Sequence, residues 1–240
     1  MARKNIDDEQ ASAALKRASG VPEASPDTSG PPVVRPLLRG WLHAIAVVLL
    51  AVTAPLLWSV AENGARQLSV VVYLVGVGAM LGVSAIYHVP EWGEAAKRGL
   101  RRADHSAIFL GIAGTYTPVL VVATDGWVRT SMLVAVWCGA AAGIAIGNLF
   151  IHARAWLVAT PYVILGWISV LLLPALLRLS PPVTILVLAG GVAYTLGAVV
   201  YARKRPDPWP RVFGFHEVFH ALTLVAVAAH WTAVRMALQA

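Results

Sequence analysis

Long apolar runs separated by short clusters of charge set the pattern of this chain. A helix crossing a hydrocarbon core about 30 Å thick needs roughly 20 predominantly apolar residues. Seven stretches reach that length, at 38–60, 68–88, 105–124, 130–151, 155–177, 183–201 and 215–236. Strands of a membrane barrel run about 10 residues and alternate apolar with polar positions; segments 68–80 and 144–158 do neither. The fifth stretch carries Pro161 and Pro174, which membrane helices tolerate because neighbours satisfy the freed carbonyl. The pattern predicts an all-α membrane protein, a seven-transmembrane-helix bundle.

Composition agrees. Of 240 residues, 58% are hydrophobic and 13% charged, with mean hydropathy +0.69; soluble domains carry about 25% charged residues. Orientation follows from Lys and Arg. With the N-terminus inside, fifteen of the 19 fall in inner segments, and only Arg66, Arg129, Arg178 and Arg235 in outer ones. The positive-inside rule then predicts a cytoplasmic N-terminus and an outside C-terminus, in a multi-pass protein of the cell inner (plasma) membrane. The net charge of +7 has the same origin, so no nucleic-acid partner is expected.

Residues 1–34 are polar and rich in Pro and Ser, too poor in apolar side chains to bury a core. They are expected to form a disordered cytoplasmic tail on a membrane domain spanning 35–240. No apolar run near the start reads as a signal peptide, so the first span is expected to direct insertion. Gly139, Gly143 and Gly147, and Gly78 and Gly82, have the four-residue spacing that lets helix backbones approach. A lone Cys138 excludes an intrachain disulfide and a cysteine-based metal site.

Ionisable residues within a membrane span mark function by default. The predicted topology brings His88, Asp104, His216 and His220 to one depth at the cytoplasmic side. His216 and His220 are i and i+4, so both imidazoles leave one helix face, a spacing by which two histidines grip one metal ion. Ser84 and His88 share that spacing. His88 would complete a three-histidine set with an open position for water, as in catalytic zinc sites. Asp104 could hydrogen-bond that water or an imidazole. Plainer readings exist for each residue: Asp104 as an N-cap, the histidine pair as solvated interfacial residues, Ser84 bonded within its own helix. His43 and His105 lie near the same face without a partner at ligand spacing. His152 reads as a loop residue, and His230 lies toward the opposite leaflet.

The segments Arg39-Gly40-Trp41-Leu42-His43, Ser84-Ala85-Ile86-Tyr87-His88, Asp104-His105-Ser106-Ala107-Ile108-Phe109, Ile112-Ala113-Gly114-Thr115-Tyr116-Thr117-Pro118 and Phe213-Gly214-Phe215-His216-Glu217-Val218-Phe219-His220 resemble bacterial hemolysin III proteins. That family groups with the progestin and adipoQ receptors (the adiponectin-receptor-like proteins) and, more distantly, the alkaline ceramidases. The resemblance runs from about residue 35 to the C-terminus and implies a seven-helix bundle with a cytoplasmic N-terminus. It also implies His88, His216 and His220 as zinc ligands, Asp104 holding the zinc-bound water, and Ser84 beside the site.

Three functions fit these residues. The first is an intramembrane zinc hydrolase acting on a lipid amide or ester, with Asp104 as general base and Ser84 donating to the developing oxyanion. Its partner would be a membrane lipid whose acyl chain stays in the bilayer. The second is a non-enzymatic sensor or binder in which zinc ties helices together. The third, suggested by the family's name, is a pore-forming cytolysin, against which stands the concentration of polar residues at one end of the spans.

Overall fold

The computed structural model describes residues 35–150 and 154–240. The expected tail and His152 lie outside the described residues. Among the described residues eight α-helices follow in order: α1 (Trp41–Trp58), α2 (Gly64–His88), α3 (Glu94–Ala123), α4 (Gly126–Leu149), α5 (Ala155–Trp167), α6 (Leu173–Leu179), α7 (Pro181–Arg203) and α8 (Phe215–Leu238). A 3-10 segment, Ile168–Leu172, joins α5 to α6 within a single span, Trp156–Leu179. Among the described residues, seven helical spans are therefore long and apolar enough to cross a membrane. Their outer faces are apolar too: Val52, Leu171 and Ile185 are each more than 60% exposed, which suits contact with lipid and not with water.

Local chemistry sets the helix ends. Asn63 caps α2 by accepting from the Arg66 amide at 3.0 Å. Pro181 and Pro182 open α7, where a missing amide hydrogen costs nothing. Lys204, at φ 53°, closes α7 in the left-handed conformation. The break in the fifth span precedes Pro174, not Pro161, which sits inside α5. Its carbonyls do not go unpaired: Leu165 O accepts from the Ile168 amide and Gly166 O from the Ser169 hydroxyl at 3.1 Å, while the Tyr116 hydroxyl of α3 lies 3.1 Å from the first and 2.6 Å from the second.

Two differences from the expected elements matter for the site. First, α3 begins at Glu94 instead of His105, because the charged segment 94–102 is helical although it is not apolar. Asp104 therefore lies in the third turn of a helix, and the N-cap reading fails. Second, the close backbone approach of α2 is not at Gly78 and Gly82, where an added Cβ would meet only side-chain methyls at 3.8 Å. It occurs where α2 crosses α3: a Cβ on Gly76 would come 2.5 Å from the Leu110 carbonyl oxygen. Of the stripe on α4, Gly143 makes room for the Phe109 ring. The tight α2–α3 pair carries the first half of the site, and the α7–α8 pair the second.

Candidate metal centre

His88 is the last residue of α2, where that helix ends under Val89. His216 and His220 occupy the first two turns of α8. Their helix starts at a doubly held loop: the Glu217 carboxylate accepts from the Gly214 amide at 2.9 Å, and Asp207 accepts from the Phe215 amide at 2.8 Å. The start of α8, and with it both histidines, is thereby fixed to the loop that precedes it.

The three imidazoles meet in the interior. One nitrogen from each lies within 4.8 Å of the others, and His216 Nε2 faces His88 Nε2 at 3.2 Å. Ring centroids are 4.7 Å apart for His88–His216, 4.5 Å for His216–His220 and 5.2 Å for His88–His220. His220 is almost fully buried, and its Nδ1 has no hydrogen-bond partner among the described residues. Converging imidazoles removed from water are the donor set that a divalent ion such as zinc accepts.

Asp104 projects from α3 toward the same point, with Oδ2 3.7 Å from His88 Nε2. Ser84 of α2 is buried and lies beside this carboxylate. His105 Nδ1 is 3.9 Å from Asp104 but donates to the Arg101 carbonyl at 2.9 Å, which takes it out of the cluster.

The segment before and within α1 forms a wall that spacing along the chain does not reveal. His43 stacks on His220, centroids 3.9 Å apart and planes 11° from parallel. Gly40, at φ 81°, lies where a Cβ would come 2.6 Å from His88 Cβ, so only glycine suits both the backbone angle and the contact. Arg39 Nη1 pairs with Glu217 Oε1 at 3.4 Å, and Arg35 donates to the Val89 carbonyl at 2.9 Å. Burial draws the Arg39 guanidinium below its ordinary range, and Glu217 opposes that shift. Glu217, wholly buried between the two histidines of α8, was the unread signal: a carboxylate there requires a cation from elsewhere in the chain.

A cavity of about 400 Å³ runs from this cluster into the bundle. Near the histidines it is bordered by Arg39, Tyr87, Arg101 and Tyr201; further in, by Ile112, Val119, Leu172 and Val187. The volume and the apolar walls suit an acyl chain.

A family model described as "Haemolysin-III related" matches residues 33–231. The chain is similar to the hemolysin-3 homolog of Bacillus subtilis (strain 168), 32% identical over 127 residues, covering 52% of this chain and 57% of that protein. It is similar to hemolysin-3 of Bacillus cereus, 32% identical over 122 residues, with 50% and 53% covered. The human monocyte to macrophage differentiation factor is 22% identical over 198 residues, with 81% and 80% covered. The matches to the two bacterial relatives span little more than half of their length.

Proposed function

This chain belongs to the haemolysin III-related family, within the progestin and adipoQ receptor group, and from that premise we propose that it is a zinc-dependent membrane hydrolase cleaving a lipid amide or ester. The observation that carries the reading is a carboxylate beside a converging histidine triad at the head of an apolar cavity. His88, His216 and His220 would hold the ion. A zinc ion there supplies Lewis acidity and makes water nucleophilic near neutral pH.

The chain's own residues do the rest. Asp104, steadied by Ser84, accepts the proton of the attacking water and returns it to the leaving group. The apolar cavity holds the acyl chain and excludes bulk water from the carboxylate. His43 keeps His220 from turning, and Glu217 ties the start of α8 to Arg39. The fifteen-to-four charge bias supports a histidine end facing the cytoplasm of the plasma membrane, with residues 35–240 as the working domain and 1–34 as a tail.

A second reading, a zinc tie without turnover, is favoured by one observation: the three histidines come from α2 and α8, with His88 and His216 standing 128 residues apart. Asp104→Asn separates the two. Purified protein is offered N-acyl and O-acyl lipids, and released fatty acid is measured beside bound zinc. The hydrolase reading expects release to fall about 10²–10⁴-fold in the variant with zinc retained. Equal release by both proteins would remove Asp104 from the chemistry.

A further inference from the structure

The same cavity has a second polar region, at the end of the bundle away from the three histidines. It is lined there by Tyr194 of α7 and His230 of α8. His230 follows His216 by fourteen residues, close to four turns on the same stripe and about 21 Å along the helix axis. That distance is comparable with an extended palmitoyl chain.

The region is built. His230 Nε2 donates to the Val187 carbonyl at 3.1 Å, which leaves Nδ1 as an acceptor. The ring sits over Gly190, where any Cβ would strike it. Tyr194 packs against that ring, centroids 5.7 Å apart. It is half-buried and lines the cavity, and its hydroxyl has no hydrogen-bond partner among the described residues. The neighbouring Tyr73 hydroxyl is fully buried and also without a partner there. Buried hydroxyls without partners are costly, and a cavity-facing one is satisfied by whatever polar group enters.

We propose that Tyr194 and His230 form a second subsite that receives a hydroxyl group carried near the far end of an acyl chain whose head lies at the histidine triad. The hydroxyl accepts from Tyr194 and donates to His230 Nδ1, so it satisfies both partners where a keto oxygen satisfies one. The inference rests on the lipid reading of the cavity and adds the chemistry of the tail.

Binding of palmitate, ω-hydroxypalmitate and β-hydroxypalmitate to purified, zinc-loaded protein tests it. The ω-hydroxy acid binds about tenfold more tightly than palmitate, the worth of two net hydrogen bonds, while the β-hydroxy acid, with its hydroxyl near the triad, gains nothing there. In Tyr194→Phe and in His230→Gln the ratio of ω-hydroxypalmitate to palmitate affinity falls toward one, a change that general loosening would not produce. Equal affinity of palmitate and ω-hydroxypalmitate in the unaltered protein would overturn the subsite and leave the lipid reading standing. No binding of any of the three acids would overturn both.

Discussion

At one end of α8, His216 and His220 face His88 across a helix boundary, with two Nε2 atoms 3.2 Å apart. At the other end, His230 gives its proton to a backbone carbonyl at 3.1 Å and rests over a glycine. The same residue type on the same helix is used in two ways. His230 is fixed by the protein alone, since the Val187 carbonyl takes the one N–H of its neutral imidazole. The triad is not: neutral imidazoles brought nitrogen to nitrogen share one hydrogen at most, and His220 Nδ1 finds none among the described residues. Converging lone pairs of this kind call for a cation, and the backbone-bonded histidine does not. Burial therefore does not distinguish a ligand from a structural histidine. What the ring nitrogens face does.

Four substitutions press on that contrast, in order of expected effect. Asp104→Asn, at the triad, should lower any lipid hydrolysis by about 10²–10⁴-fold while bound metal is retained; released fatty acid and metal content are measured on the same preparation. Glu217→Ala strands the Arg39 guanidinium, whose side chain is 24% exposed, and uncaps the start of α8. Breaking a buried pair costs about 3 kcal/mol, read as a lower melting temperature in detergent, and Arg39→Leu in the same chain should recover part of it. An unchanged melting temperature would mean that the pair does not hold the triad's helix. His43→Ala removes the ring stacked on His220 and should weaken metal affinity about 10–100-fold, as losses behind a ligand do; competition with a chelator reports it. Tyr116→Phe, which is remote from the triad, removes the hydroxyl that ties α3 to the carbonyls at the 3-10 break. It should cost about 1–2 kcal/mol of stability with metal affinity unaltered, and a metal defect there would blur the line between the two regions.

The spans were legible because a bilayer imposes a length of apolar chain, and hydropathy reads that length directly. The start of α3 was not: residues 94–102 are helical beyond the apolar stretch, and hydropathy is silent on polar helix. Recognising Ala95, Ala96, Lys97 and Arg98 as good helix formers would have moved Asp104 into the helix interior. The pair His216 and His220 was legible from i,i+4 spacing, and His88 and Asp104 from depth. The wall made by α1 was hidden because Arg39 and Glu217 stand 178 residues apart, and His43 touches His220 through a stacking contact that leaves no periodic trace. Ser84 was found as a neighbour of the site, but whether its hydroxyl faces a carboxylate or a reacting oxygen depends on the rotation of α2 against α3. That rotation is set by the Gly76 crossing, which four-residue glycine spacing did not identify.

The central claim, that His88, His216 and His220 hold a metal ion while His230 does not, is tested most directly by metal analysis of purified protein. The unaltered chain should carry about one zinc, the His216→Ala, His220→Ala double variant close to none, and His230→Ala the full amount. Full stoichiometry in the folded double variant, or its loss in His230→Ala, would contradict the claim.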